Sequence, residues 1–166
     1  RNTRSWPVGV WQFPGAGSYL GHSGGGGVGY GPGAAVGGGL AARDRGQLGV
    51  AIIGDGDLLM APGALWTAVH YQIPLLVVVN NNRSFYNDEE HQQAVARHRG
   101  RPEDNAWIGM RVDDPPVDVA GLARSFGAWA TGPVTDPDAV AGALAAALNA
   151  VDDGRVALID VHTAPV

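Results

Sequence analysis

The chain contains no cysteine and no lysine, and its 11 basic residues are all arginine. The absence of cysteine excludes disulfides, thiolate zinc sites and cysteine nucleophiles. The absence of lysine excludes Schiff-base chemistry and the phosphate-binding lysine of a P-loop. A phosphate group would therefore have to be held by backbone N–H groups, by a metal ion or by arginine.

Positive charge and long apolar runs are also scarce. The formal net charge is −5, and no basic run is present that would indicate nucleic acid as a partner. The longest clear apolar run, Leu75–Val79, is far shorter than the roughly 20 residues of a membrane span. Because the N-terminus does not resemble a signal peptide, we expect a soluble, cytoplasmic protein without nucleic-acid or membrane partners.

The length of 166 residues suits one domain with a sizeable core. Residues 1–20, rich in tryptophan, proline and glycine, are predicted to be an irregular N-terminal segment, and residues 21–166 to form the domain. The chain starts at Arg1 rather than at a methionine and stops at Val166. We therefore expect a part of a longer polypeptide or one subunit of a split enzyme.

Continuous apolar runs at 48–53 ("LGVAII") and 75–80 ("LLVVVN") predict strands buried on both faces of a parallel sheet. The intervening residues 61–72 predict a helix, so the three elements form a crossover unit. Other predicted helices cover residues 34–43, 117–126 and 138–151, and other predicted strands cover residues 128–131 and 156–161. Residues 83–116 are predicted to be irregular. This alternation indicates a doubly wound α/β fold, with a mostly parallel sheet and helices on both faces.

Polar residues follow both buried strands at the edge where such a sheet binds ligands. Asp55 comes directly after the first strand, and Asn80–Asn82 end the second. Aspartate and asparagine supply the hard oxygen ligands that suit Mg²⁺, which usually binds one or two protein groups together with substrate phosphates. Gly54 and Gly56 would let the backbone approach such a ligand closely. The pattern predicts a site for a metal-bridged phosphate compound.

Each of these signals also has an ordinary structural explanation. A "GDG" sequence is a common turn, and asparagine runs after a strand are common in loops. The glycine tract Gly24–Gly38 could equally be a linker. The ligand-site interpretation is favoured because all three signals occur together, in order, at strand ends.

The segment from "GDGD" to "NNN", separated by a helix and a strand, resembles the signature of thiamine diphosphate enzymes. The upstream "GGGGVGYGPGAAVGG" is similar to the "GxMGxGLPAAIGA" segment of the acetolactate synthase branch. With "GPVTDPDAVAGALAAAL", the likeness covers roughly residues 20–165. The sequence thus resembles the C-terminal, diphosphate-binding domain of an acetolactate synthase-like enzyme, and this implies thiamine diphosphate and Mg²⁺ as cofactors.

The resemblance implies a role for ten residues. The magnesium ligands would be the side chains of Asp55 and Asn82 and the backbone carbonyl of Ser84. The cofactor would be bound by Ser23, Gly24, Gly26, Val28, Gly54, Asp55, Gly56, Asp57, Asn82 and Ser84. Val28 stands where the family has a bulky residue that holds the cofactor in a bent conformation. At Asp57 the family often has serine or alanine. Because a carboxylate would repel a diphosphate, we expect Asp57 to turn toward the free N–H groups that open the next helix.

One part of the family's active site has no counterpart in the sequence. In the family, a glutamate from a pyrimidine-binding domain, usually of the neighbouring subunit, activates the cofactor's aminopyrimidine ring. The chain has only Glu89, Glu90 and Glu103, none in a segment like the activating one. The resemblance therefore implies no catalytic residue in this chain, a partner pyrimidine-binding domain of the same or a neighbouring subunit, and a homodimer or homotetramer.

Three functions agree with these features. The first is the cofactor-binding half of a 2-keto acid carboligase or decarboxylase with acetolactate synthase-like chemistry. The second is a C–C lyase of the benzoylformate decarboxylase or benzaldehyde lyase type. The third is a non-catalytic subunit that retains the cofactor fold, against which the presence of Asp55, Asn82 and the glycines argues.

Overall fold

A four-stranded parallel sheet forms the centre of the chain in a computed structural model that describes residues 9–21, 25 and 27–164. The strands lie in the order β1-β2-β4-β3, and every neighbouring pair is parallel. Their bounds are β1 Gly49–Gly54, β2 Leu75–Asn81, β3 Trp129–Val134 and β4 Val156–His162. The predicted α/β fold with a parallel sheet is confirmed.

Helices cover both faces of this sheet. They are α1 Tyr30–Arg43, α2 Asp55–Met60, α3 Gly63–His70, α4 Tyr86–His98, α5 Val119–Ser125 and α6 Val140–Asp152, with a 3₁₀ turn at Pro137–Ala139. On one face, Leu58, Leu65 and Ile73 pack with the inward residues of β1, β2 and β4. On the other face, Ala147 and Ala150 of α6 pack against alternate residues of β2 and β4. The strand β2 is buried on both faces, as its composition predicts. The same expectation is wrong for β1, where Val50 is 48% exposed, since the cluster packed under α6 is built on β2 and β4.

Two parts of the predicted secondary structure are wrong. The helix predicted over 61–72 is present as α3, but the sequence did not predict the short helix α2, which starts at Asp55 directly after β1 and is separated from α3 by a break at Ala61–Pro62. The region predicted to be irregular contains the 13-residue α4. This helix is almost wholly polar, so it lacks apolar periodicity. It is stabilised by acidic residues in its first turn and by Arg97 and His98 in its last turn, both of which suit the helix dipole.

The strand register brings the two polar motifs to the same edge of the sheet. Gly54 at the end of β1 is paired with Asn80 of β2, so Asp55 and Asn81–Asn82 follow neighbouring strand ends. Asn81 is in turn paired with His162 at the end of β4. The expectation that the two motifs lie at the same carboxyl edge of the sheet is therefore confirmed.

The described part of the chain contains no helix with the length and apolar character needed to cross a membrane. Residues 11–21 form neither helix nor strand, and Leu20 reaches α1, where its Cδ1 atom lies 2.6 Å from the position of a Cβ atom on Gly38. The division of the chain into an N-terminal segment and a domain stays a prediction.

Candidate functional site: a cavity at the carboxyl edge of the sheet

A cavity of about 1390 Å³ opens at the carboxyl ends of β1 and β2. Its walls come from α1, the glycine segment before it, β1, the turn into α2, and the loop that follows β2. Seven of the ten residues predicted for the site line this cavity: Val28, Gly54, Asp55, Gly56, Asp57, Asn82 and Ser84. The other three, Ser23, Gly24 and Gly26, lie outside the described residues.

Asp55 is the buried carboxylate of the cavity, with only 3% of its surface exposed. Its Oδ2 atom has no hydrogen-bond partner among the described residues. Burial raises the pKa of Asp55 above its usual value, although the backbone N–H groups of Gly56, Arg83 and Asn82 act in the opposite direction. A buried carboxylate oxygen without a donor costs free energy, and a bound cation would remove that cost.

Asn82 and Ser84 present further oxygen atoms in the loop after β2. The Asn82 Oδ1 atom accepts a hydrogen bond from the Ser84 N–H at 3.1 Å, which closes a tight turn. Arg83 and Phe85 bond through their backbones to Val112 and Met110, at 2.9 and 2.8 Å. Ser84 lies opposite Arg111 in an antiparallel bridge whose hydrogen bonds are made by the flanking residues. The Ser84 carbonyl therefore points away from the segment that contains Arg111. A backbone carbonyl directed away from its paired segment can serve as a metal ligand.

The three asparagines at the end of β2 have different surroundings. Asn81 points into the protein and donates its side-chain N–H to Asp160 Oδ1 at 2.9 Å. Its Oδ1 atom accepts from the Arg83 N–H at 3.1 Å, and its backbone carbonyl accepts from the Thr163 N–H at 2.9 Å. Asn81 therefore ties the loop to β4, whereas Asn80 and Asn82 line the cavity.

Glu89 supports the same loop from α4. It is buried, and its Oε2 atom accepts a hydrogen bond from Ser84 Oγ at 3.4 Å. Its Oε1 atom lies 3.5 Å from the Arg111 guanidinium, which in turn lies over the Trp107 ring at 5.6 Å from the ring centroid. The Ser84 side chain thus faces Glu89 and the protein interior.

Gly56 lets the β1 edge approach this loop. A Cβ atom on Gly56 would lie 2.4 Å from the ring of Phe85, the residue that follows Ser84. No larger residue fits without moving that ring. The predicted close approach of the Gly56 backbone to a ligand stays a prediction.

Asp57 accepts hydrogen bonds from backbone N–H groups at the start of a helix, as expected, but that helix is α1 and not the one that follows Asp57. Its carboxylate accepts from the N–H of Gly29 at 2.5 Å and from the N–H of Gly31 at 3.1 Å. These groups open α1, which precedes Asp57 in the chain. The expectation of the following helix was wrong because α2 already includes Asp57, so the free N–H groups nearest its side chain belong to α1.

Several cavity residues were not identified from the sequence. They include Phe85, Asn87 and Glu90 near the start of α4, and Trp11, Phe13 and Tyr19 of the N-terminal segment. The polar run "NDEE", with three acidic residues at 88–90, was the available signal for the start of a helix. The sequence did not predict that the three aromatic residues line the cavity, because their contacts depend on how the N-terminal segment folds back over α1.

Comparison with known proteins agrees with this geometry. Residues 2–161 match the family model described as "Thiamine pyrophosphate enzyme, C-terminal TPP binding domain". Over 138 residues, the chain is 34% identical to a benzoylformate decarboxylase of Pseudomonas aeruginosa, an alignment that covers 83% of this chain and 23% of that protein. The chain belongs to the C-terminal thiamine pyrophosphate-binding domain family of thiamine pyrophosphate enzymes.

Solved structures show the same relationship. A thiamine diphosphate-dependent 4-hydroxybenzoylformate decarboxylase of Rhodococcus jostii matches with a TM-score of 0.64 at 28% identity, covering 82% of this chain and 23% of that chain. A putative thiamin diphosphate-dependent enzyme of Mycobacterium smegmatis matches with a TM-score of 0.62 at 28% identity, covering 85% of this chain and 23% of that chain. The chain spans about a quarter of the length of these relatives. Thiamine diphosphate, which is the same compound as thiamine pyrophosphate, is the cofactor of the family.

Proposed function

We propose that this chain is the diphosphate- and magnesium-binding half of a thiamine diphosphate-dependent enzyme that acts on 2-keto acids. The observation that carries this proposal is the buried Asp55 Oδ2 atom, which has no partner among the described residues and belongs to a residue that lines the cavity. The other proposed ligands, the Asn82 amide oxygen and the Ser84 backbone carbonyl, belong to residues that line the same cavity. Oxygen ligands of these kinds suit Mg²⁺.

Three protein groups would hold the metal: the Asp55 carboxylate, the Asn82 side chain and the Ser84 carbonyl. Among the described residues, no three histidine, aspartate or glutamate side chains are grouped as a metal centre of their own. Magnesium bound by so few protein groups completes its coordination with water and substrate phosphates. The ion would therefore bind together with the diphosphate, next to Gly54 and Gly56.

When bound, thiamine diphosphate supplies a thiazolium carbon that attacks 2-keto acids and a ring that accepts the resulting electron pair. The residues of this chain hold and orient the cofactor. Val28 would support its bent conformation, and the family resemblance assigns Ser23 and Gly24 to the diphosphate and Gly26 to the aminopyrimidine ring. Val28 lines the cavity with 47% of its surface exposed, so it is accessible to a ligand.

Two of the three glutamates of this chain are paired with other side chains. Glu89 bonds to Ser84 and Arg111, and Glu103 is paired with Arg97 at 2.7 Å. Glu90 lines the cavity from the helix that follows the metal loop. We therefore propose that the activating glutamate comes from a pyrimidine-binding domain of the same or a neighbouring subunit in a homo-oligomer. A cytoplasmic location stays a prediction from the sequence.

Decarboxylation of an aromatic 2-keto acid is the favoured reaction, because the 34% identical relative is a benzoylformate decarboxylase. Acetolactate synthase-like ligation is the second candidate, and it is favoured by the similarity of the glycine segment to that branch. The two differ in the substrate pocket, to which the pyrimidine-binding domain would contribute.

Binding of the cofactor by the purified chain tests the proposal. Calorimetry should show weak, Mg²⁺-dependent binding of thiamine diphosphate, and the chain alone should release no CO₂ from pyruvate or benzoylformate. Activity should appear when a pyrimidine-binding domain is added or the full polypeptide is restored. Robust decarboxylation by the isolated chain would contradict the half-site proposal. Failure to bind the cofactor in the restored enzyme would favour a non-catalytic subunit.

A further inference from the structure

Asp57 joins two segments that are distant in the sequence and that form different walls of the cavity. It lies in the first turn of α2, next to Gly56 of the proposed diphosphate site. Its two oxygen atoms accept from the N–H groups of Gly29 and Gly31, which are 28 and 26 residues away. Gly29 directly follows Val28. The Asp57 carboxylate thus connects the turn at residues 54–57 (the diphosphate turn) to residues 28–31 (the Val28 segment).

The start of α1 depends on this carboxylate. Its N-cap residue, Gly29, has no side chain that could accept a hydrogen bond, and the first turn of the helix contains no acidic residue. The N–H groups at a helix start need an acceptor. Asp57 provides acceptors for two of them, and its negative charge is favourable at the helix N-terminus.

The two segments approach closely around this contact. A Cβ atom on Gly31 would lie 2.0 Å from Asp57 Oδ2 and 2.9 Å from the Ile53 side chain. A Cβ atom on Gly29, whose φ is +91°, would lie 3.0 Å from Met60 Cβ. Glycine at position 31 allows the Asp57 carboxylate to reach the backbone, and glycine at position 29 suits the positive φ and the close approach of Met60.

We propose that Asp57 is a positioning residue that fixes Val28 relative to the diphosphate turn, and that it is not a ligand of the diphosphate. Val28 is half exposed, so the packing of its own side chain restrains it little. The two hydrogen bonds to Asp57 hold the backbone that follows it. They also direct the carboxylate charge toward α1 and away from a bound diphosphate. This inference rests on the proposed function, because it assigns the diphosphate to the Gly56 turn.

Amide hydrogen exchange tests the contact without any ligand. In the full chain, Asp57→Ala should speed the exchange of the Gly29 and Gly31 amides by about tenfold or more, because each loses a charged acceptor. Asp57→Asn should restore part of the protection, since its single carbonyl oxygen can replace one acceptor. Asp104→Ala, an exposed aspartate away from the cavity, is the matched control and should leave both amides unchanged. Unchanged exchange in Asp57→Ala would overturn the inference.

Binding of two probes separates positioning from direct contact. Calorimetry with Mg²⁺ and inorganic pyrophosphate reports the diphosphate turn alone, and Mg²⁺ with thiamine diphosphate reports the turn and the Val28 segment together. Asp57→Ala should keep pyrophosphate affinity within about threefold and weaken thiamine diphosphate binding by about tenfold, because the backbone that carries Val28 loses the two hydrogen bonds that hold it against the cofactor. Equal weakening of both probes, or of neither, would overturn the inference. If the wild-type chain binds neither probe, the proposed function fails, and the exchange measurement still decides whether Asp57 fixes the Val28 segment.

Discussion

The buried Asp160 carboxylate accepts a hydrogen bond from the Asn81 side chain at 2.9 Å and thereby links the end of β4 to the loop that carries the proposed metal ligands. Asp160 is only 2% exposed, and His162 Nε2 lies 3.5 Å from its other oxygen atom. This pair holds Asn81 in place behind Asn82. Asp160 is also an ionisable group in the protein interior, so its protonation affects the stability of the fold.

The stability of the protein should depend on the ionisation of Asp160. Burial raises the pKa of Asp160, an effect that Asn81 and His162 oppose and the negative charge of Asp118 reinforces. The folded state therefore binds the proton more tightly than the unfolded state, so this contribution to stability is lost as pH rises through the folded pKa. Each unit of raised pKa corresponds to about 1.4 kcal/mol.

Asp160→Asn removes this dependence while keeping an oxygen that can accept from Asn81. Urea unfolding of both proteins across a range of about pH 4 to 8 should show that the stability of the wild type relative to the variant falls as pH rises. A relative stability that rises with pH would show that the interactions with Asn81 and His162 outweigh the effect of burial.

Asp55→Ala should abolish Mg²⁺-dependent binding of thiamine diphosphate in the full polypeptide. The reason is that Asp55 is the only charged protein group in the proposed ligand set. Calorimetry should show a loss of about 100-fold or more, comparable to removing a buried charged contact. Asp104→Ala is the control and should retain affinity. Unchanged cofactor affinity in Asp55→Ala would refute the metal assignment.

Gly56→Ala should both destabilise the chain and weaken cofactor binding. The added Cβ atom would lie 2.4 Å from the Phe85 ring, so Phe85 and the adjacent Ser84 would have to move. Overpacking of this kind costs about 1–3 kcal/mol. Thermal unfolding and calorimetry should detect the two effects. Gly63→Ala, whose new Cβ would meet no heavy atom within 4 Å beyond its chain neighbours and its own helix backbone, should be neutral or stabilising. A Gly56→Ala variant that behaves like Gly63→Ala would contradict this account.

Glu89→Ala should weaken magnesium-dependent binding although Glu89 is not a proposed ligand. Its removal leaves Ser84 Oγ and the Arg111 guanidinium without their carboxylate partner and loosens the Ser84 turn. The free energy of unfolding should fall by about 1–3 kcal/mol, the cost of an unsatisfied buried group. Glu103→Ala, which breaks a solvent-exposed pair, should cost less than about 1 kcal/mol. Equal, small effects of the two substitutions would show that Glu89 does not support the loop.

Val28→Ala should lower kcat in the restored enzyme more than it weakens cofactor affinity. The smaller side chain supports the bent cofactor less well, while the diphosphate contacts are unchanged. Steady-state kinetics and calorimetry on the same preparation would measure the two effects. If kcat is unchanged, another residue must support the bent conformation.

Much of the fold was predictable from local pattern. The runs at 48–53 and 75–80 are apolar on successive residues, which is typical of strands in a parallel sheet, so β1, β2 and their parallel pairing were predicted correctly. Burial on both faces holds for β2 and not for β1. Because parallel strands end at one edge, the position of Asp55 near Asn82 also followed. The helix α4 was missed because a polar helix has no apolar period, and its capping charges are weak signals.

The sequence by itself determined the class of sheet, the edge at which the site lies and the oxygen chemistry of that site, since these depend on strand ends and on residue types. Only the tertiary structure decided which polar group meets which. Adjacent strand residues point to opposite faces, and the pairing with β4 turns Asn81 rather than Asn82 inward. Asp57 reaches the start of α1 because folding brings groups 28 residues apart within 2.5 Å. Local sequence preference contains no information about such a distance, because the contact exists only after α1 and α2 have packed against β1.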